Sequence, residues 1–318
     1  MENKYEILLH DNVIVTGGAG FIGSNLTERL VKIKEKSYEI TVIDNLHTGH
    51  LDNIKSFKDH IKFINANSGI VKNLNTNAKI IFHLGIYSSS PMYKENPQLM
   101  SMALNDFINI LEFARKNDAK IIFSSSSSIY NSLKPPHNED MQIIPTDYYT
   151  EVRYYMERLS DLYHKLYGLN IIGLRFFSVY GPKEKFKKKY ANLISQFLWA
   201  IMQDKEIIIY GDGSQKRDFI YVDDVVNACI LALNKNVNSG IFNVGTGKSY
   251  SVNEMLQKLE KLTKKKAKVK YVENKIKNYV YETLADTKKA EKELNFKAEI
   301  SLEEGIKNLI AYYAGEGI

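Results

Sequence analysis

The chain is predicted to adopt an α/β fold, a doubly wound parallel sheet with a second, smaller C-terminal substrate lobe. Three observations predict it. The β-branched run at residues 12–16 opens NVIVTGGAGFIG, in which glycines stand at 17, 18, 20 and 23 ahead of a helix expected over residues 21–34. Further apolar runs at 39–43, 61–64, 79–83, 120–124 and 171–175 alternate with helical patterns, the arrangement of parallel strands joined by crossovers. After Arg175 the alternation fades, and one return to the sheet is expected within residues 218–243. The expected division is residues 1–175 plus 218–243 for the sheet domain and 176–217 plus 244–318 for the lobe.

The glycine run is the first candidate site. Gly17 serves the tight turn, Gly20 lets the backbone approach a pyrophosphate, and Gly23 lets the helix pack close on the strand. The helix N-terminus then offers free amides and a partial positive charge to a phosphate. Asp44 ends the second strand, in EITVIDN, where a carboxylate can accept from both ribose hydroxyls and repels a 2′-phosphate. Together these features predict a dinucleotide site with NAD preferred over NADP. The competing reading is a tight turn that only packs.

Composition narrows the class. A chain of 318 residues allows one large domain or two ordinary ones, and a hydrophobic content of 44% can build a full core. The single cysteine, Cys229, excludes a disulfide framework and reads as a small core residue of an apolar helix. No segment reaches the ~18 apolar residues of a membrane span, and the acid-bearing N-terminus MENKYEILLHD lacks a signal-peptide core, so a cytoplasmic protein is expected. The net charge of +6 is carried partly by lysine runs at 183–189 and 264–270. Without an aromatic platform these read first as solvated faces and second as help in binding an anionic substrate; nucleic acid is not expected. Residues 99–115 and 149–166 carry apolar periodicity enough for two buried faces each, which predicts a homodimer, with deep burial inside one chain as the alternative. No metal site is read.

These segments resemble, in order and spacing, the extended short-chain dehydrogenase/reductase family, and within it the nucleotide-sugar epimerases and dehydratases. The likeness runs over nearly the whole chain. It rests on TGGAGFIG at 16–23, Asp44-Asn45-Leu46 with Thr48-Gly49, IIFHLG at 80–85, the serine run before Ile129-Tyr130, and a tyrosine motif at Tyr149. It continues through LRFFSVYGP at 174–182, YGDGSQKRDFIYVDD at 210–224 and FNVGTG at 242–247.

What the resemblance implies is a hydride taken by NAD from a sugar carbon of a nucleotide-diphosphate sugar. It implies a general base, Tyr149, and a hydroxyl that shares its hydrogen bond, Ser126. It also implies a lysine four residues beyond the tyrosine, because a phenol near pKa 10 needs adjacent positive charge to act as a base at neutral pH. Arg153 stands there instead. The i, i+4 spacing keeps the charge on one helix face, yet a planar guanidinium and a compact ammonium are not interchangeable. Retained hydride chemistry is the expectation, and a scaffold that binds NAD without turnover is the alternative.

The cofactor contacts implied by the resemblance are Gly17, Gly20, Phe21, Ile22, Gly23, Asp44, Asn45, Asn67, Ser68, Leu84, Gly85, Tyr149, Arg153 and Phe176. The implied substrate contacts are Ser88, Ser126, Ser178, Asn192, Leu193 and Arg217. Several positions depart from the family pattern. Ser127 and Ser128 occupy the places of the dehydratases' Asp-Glu pair, of the decarboxylases' glutamate and of the 3,5-epimerising relatives' cysteine, and a serine cannot replace a carboxyl group in moving protons. Ser178 stands for an asparagine, Asn67 for an aspartate, and between 272 and 285 Lys275 and Lys277 are the only cations where an arginine is usual. What remains is oxidation and re-reduction at C4, the reaction of a 4-epimerase; a C4 dehydrogenase or 4-ketoreductase needs the same residues. His83 reads as structural, Ser88 to Ser90 as a pocket edge or a polar loop, and Tyr148, Tyr154 and Tyr155 as packing aromatics.

Overall fold

The computed structural model describes residues 11–33, 38–234, 236–276 and 279–315. The N-terminal residues 1–10, Lys34 at the expected end of the first helix, and Lys277 lie outside the described residues. Strands Val13–Thr16 (β1), Ile40–Asp44 (β2), Lys62–Asn65 (β3), Ile80–His83 (β4), Lys120–Ser126 (β5) and Ile171–Phe176 (β6) alternate with helices Phe21–Ile33 (α1), Ser90–Glu95 (α2), Leu99–Asn117 (α3) and Tyr148–Tyr167 (α4). The next stretch holds Ser178–Tyr180 (β7), Leu193–Met202 (α5), Glu206–Tyr210 (β8), Lys216–Arg217 (β9), Phe219–Tyr221 (β10), Val222–Leu231 (α6) and Ser239–Val244 (β11). The chain closes with Tyr250–Ser251 (β12), Val252–Thr263 (α7), Lys268–Val272 (β13), Lys288–Leu294 (α8) and Leu302–Gly315 (α9). No described helix is long and apolar enough to cross a membrane.

Seven strands form one parallel sheet in the order β11-β6-β5-β4-β1-β2-β3. Each crossover needs a helix, and the helices cover both faces, which is why β1, β2 and β4 are buried throughout their length. On one face α1 and α6 pack over Val13, Val15, Ile40 and Val42; on the other α3 and α4 cover Ile14, Ile43, Ile81 and Ile121. Each such side chain contributes roughly 1.5–3 kcal/mol when fully buried. Of the segment expected to return to the sheet, only β11 joins it; residues 219–221 pair with β7 instead. A separate apolar cluster is built by α5, α7, α9 and the parallel pair β8 and β13.

Helix α4 begins where Asp147 caps it, accepting from the Thr150 amide at 2.9 Å, and stops at Gly168, whose φ of +68° suits a residue without Cβ. Its inner face carries Glu157, which forms a buried pair with Arg175 of β6 at 2.7 Å and accepts from the Ser125 hydroxyl at 2.5 Å. Arg175 also donates to the Tyr130 hydroxyl at 2.6 Å, and that hydroxyl donates to Asn243 of β11 at 2.8 Å. Three strands and one helix are thus tied by one polar network. Arg175→Met strands the Glu157 carboxylate, and a loss of about 3–5 kcal/mol in unfolding free energy is expected from urea titration; a loss under about 1 kcal/mol would mean that the network carries little.

Candidate active site

Strand β1 pairs with β2 on one side and β4 on the other, so the crossovers on its two sides run away from each other. At this switch point the carboxyl ends of β1 and β4 open a cavity of about 320 Å³. Gly17 takes φ +68° to turn the chain, and a Cβ there would lie 2.6 Å from the Gly85 Cα. A Cβ on Gly23 would lie 2.0 Å from the Gly17 carbonyl oxygen, so only glycine lets α1 start against the turn. A Cβ on Gly20 meets only the Gly17 oxygen, at 3.1 Å; its other side is open for a ligand to approach.

Asp44 is buried at the edge of the same cavity, where the Ala19 amide donates to Oδ2 at 3.0 Å and the Leu46 amide to Oδ1 at 2.8 Å. Burial raises its carboxyl above the ordinary range, and the amides of Leu46, Ala19 and Gly20 oppose that rise. Beyond it Asn45 donates to the Asn67 side-chain oxygen at 2.8 Å, and Ser68 donates to the Gly85 carbonyl at 3.0 Å. At the opposite end Tyr149, in the first turn of α4, and Ser126, at the end of β5, both face the cavity. The Ser126 hydroxyl accepts from the Ser128 amide at 3.1 Å.

Arg153 lies one turn below Tyr149, 3% exposed, with its guanidinium carbon 5.0 Å from the Tyr149 ring centroid. Its Nη1 donates to the Ser124 carbonyl at 2.6 Å and its Nη2 to the Tyr87 carbonyl at 3.1 Å, while Nε is buried without a partner. The fork therefore clamps the loop after β4 to the end of β5, a job that a single ammonium cannot do in the same way. His83 stays in the wall: its Nδ1 meets the Thr16 hydroxyl at 2.7 Å, and burial, with Arg153's charge adding, pushes its pKa down to about 3.

A family model for the NAD-dependent epimerase/dehydratase family matches residues 13–245. The UDP-glucuronate 4-epimerase of Thermodesulfobacterium geofontis is 34% identical over 313 residues, covering 93% of this chain and 94% of that one. The chain belongs to the NAD-dependent epimerase/dehydratase family. A UDP-N-acetyl-alpha-D-glucosaminuronate decarboxylase of Bacillus cytotoxicus is 30% identical over 315 residues, 94% of this chain and 97% of that one. The crystal structure of Thermotoga maritima UDP-glucose 4-epimerase with UDP-glucose superposes with a TM-score of 0.90 at 29% identity, covering 96% of this chain and all of that one.

NAD is the cofactor of this family, and the cavity of this member fits it. Gly20 leaves its outer side open to a ligand while Gly17 and Gly85 are in backbone contact behind it, α1 aims its free amides into the cavity, and Asp44 stands where a ribose would meet a carboxylate. Of the cofactor residues expected from sequence, all but Asn67 line the cavity; Asn67 turns its side-chain oxygen toward Asn45. Ser88, Ser126, Ser178 and Asn192 line it as well.

Leu193 and Arg217 do not line the cavity. Leu193 packs into the cluster around α5, and Arg217 spends its guanidinium on the carbonyls of Lys216, Tyr281 and Val280. Sequence reasoning missed Tyr87, Asp106, Glu184 and Lys187, which reach the cavity from loops and from the helix α3. Of these only Lys187 had a signal, its place in a lysine run. Asp44 predicts that NAD binds at least tenfold more tightly than NADP, a gap of roughly 1.4 kcal/mol, and that Asp44→Ala narrows it; calorimetry giving equal affinities would contradict the assignment.

Proposed function

We propose that this chain is an NAD-dependent nucleotide-sugar 4-epimerase. One observation carries the reading: among the described residues, the only carboxylates lining the cavity are Asp44, Asp106 and Glu184, and none belongs to its Tyr149 and Ser126 end. Asp44 is held by the Ala19 and Leu46 amides, Asp106 accepts from the amides of Gly69 and Ser68, and Glu184 accepts from the Asn192 amide and the Ser195 hydroxyl. Dehydration or decarboxylation asks for a further proton carrier beside the base, whereas transfer at one carbon asks for Tyr149 and Ser126 alone. The family relatives, which include both epimerases and decarboxylases, support the substrate class; the serines at 127 and 128 favour the first reaction.

Bound NAD supplies the hydride acceptor for the first half of the cycle and the donor for the second. Tyr149 takes the proton of the sugar C4 hydroxyl and returns it after the 4-keto sugar has turned its other face. Ser126 holds that hydroxyl by a shared hydrogen bond. Arg153 keeps a positive charge against the Tyr149 ring and fixes the loop that carries Ser88. We assign the nucleotide to residues 176–217 plus 244–318 and the cofactor to residues 1–175 plus 218–243.

Arg153, whose terminal nitrogens already serve main-chain carbonyls, favours one second reading, a scaffold that holds NAD without turnover. Incubation with a panel of UDP-, GDP- and TDP-sugars separates the readings. The expected outcome is C4 epimerisation without net NADH, slowed about 10²–10⁴-fold by Tyr149→Phe at unchanged NAD content. A Tyr149→Phe variant turning over at the wild-type rate would place the base elsewhere, and net NADH would mark a dehydrogenase.

We further propose an isologous dimer through α3 and α4. Tyr155, Leu162 and Leu166 follow one another at helical spacing on α4 and stay exposed, as do Met102 and Ile108 on α3. The α4 stripe and the exposed apolar residues of α3 from two subunits can close as a four-helix arrangement. Light scattering at micromolar concentration is expected to give twice the chain mass, and Leu162→Glu with Leu166→Glu to give the monomer; a wild-type monomer would refute the assembly.

A further inference from the structure

The lysine run at 183–189 is not a uniform solvated face. Lys183 reaches Glu28 at 2.6 Å, Lys189 reaches Glu95 at 2.8 Å, and Lys185 and Lys188 are exposed. Lys187 is the one member of the run that lines the cavity. Its ammonium stands 3.2 Å from Glu184 Oε1 and 5.4 Å from the centroid of the Phe21 ring, and its side chain is 17% exposed. Glu184 is fully buried and accepts from the Asn192 amide at 2.7 Å and the Ser195 hydroxyl at 2.6 Å. It is a post set against the start of α5, and it fixes where the ammonium of Lys187 points. The loop is pinned from outside too, by Asn25 donating to the Pro182 carbonyl at 3.1 Å and by the His50 ring stacked on Phe186 at 3.8 Å.

The charges around the cavity decide what this cation is for. A dinucleotide and a nucleotide sugar each bring a diphosphate into one crevice. The cofactor's diphosphate meets the free amides of α1. Beside the wall formed by Asn192 and its neighbours a second diphosphate has few cations to meet among the described residues, and Lys187 stands between that wall, reached through Glu184, and Phe21 at the start of α1. Arg153 belongs to the Tyr149 end with both terminal nitrogens occupied, and Arg217 is turned to main-chain carbonyls. Lys187 is left. An ammonium has three donors; one serves Glu184, and the others are available to phosphate oxygens.

We propose that Lys187 is the cation that binds the diphosphate of the nucleotide-sugar substrate, taking the place that Arg217 leaves empty. The assignment rests on the substrate class proposed above. Calorimetric titration of the NAD-loaded protein with uridine, guanosine and thymidine diphosphates, and with the matching nucleosides, tests it. Lys187→Ala should weaken the diphosphate that the wild type binds by about tenfold or more, leave nucleoside binding and NAD content unchanged, and flatten the salt dependence of diphosphate binding. Lys187→Arg should recover most of the affinity. Lys187→Gln repeats the measurement with a similar side-chain length should the alanine variant lose its near-UV dichroism. Variants that bind diphosphates as the wild type does would overturn the assignment while leaving the substrate class intact. Loss of NAD with diphosphate affinity retained would overturn it in favour of the cofactor's pyrophosphate. A wild type that binds none of the diphosphates would remove the substrate class and, with it, the role of Lys187.

Discussion

The contact between Gly17 and Gly85 is the constraint on which the site depends. The two backbones meet where β1 and β4 end, and a Cβ on either would collide, Gly17's with the Gly85 backbone and Gly85's with the Ser68 hydroxyl at 2.4 Å. The approach is locked from the side by Thr16, whose hydroxyl accepts from the Gly85 amide at 3.2 Å and pairs with His83. A histidine held near pKa 3 stays neutral across the physiological range, so the latch carries no charge into the cavity wall. Because the crossovers on the two sides of β1 run away from each other, the crevice at this point is a consequence of topology, and the left-handed turn at Gly17 aims α1 at it.

Helix α4 supplies the second constraint. Tyr149, Arg153 and Glu157 follow at i, i+4 and i+8 on one buried stripe, and each has a different task. Glu157 closes the ion pair with Arg175 that ties α4 to the sheet, Arg153 clamps the loop after β4, and Tyr149 faces the cavity. Rotation of the helix by a fraction of a turn would move all three together. The capping of the helix by Asp147 and the buried pair nearly three turns later are therefore what hold the phenol in place. The arginine at 153 fits this geometry because its planar fork spans two carbonyls on separate segments, which a point-like ammonium does not.

Much of this was legible in the amino-acid sequence. Local signals specify local structure: the β-branched runs became β1 to β6, the glycines made the turn, and an acid at the end of β2 came to the rim of the cavity. Alternation of strand and helix specified a parallel sheet because each parallel connection needs a crossover, and a glycine-rich turn specified a phosphate cradle because only residues without Cβ fit there. The family membership followed from motifs of that kind, spread along nearly the whole chain.

The tertiary structure decided which side chains share one cavity. Residues 219–221 left the main sheet to pair with β7, and Arg217, matched to a ligand by its motif, turned to the carbonyls of Val280 and Tyr281. Lys187, one basic residue among several in its run, entered the cavity because a buried Glu184 eight residues before Asn192 holds it there. A motif records residue type and spacing, which set backbone conformation. The direction in which a long side chain points is set by partners far away in the chain, and no spacing in the sequence encodes them.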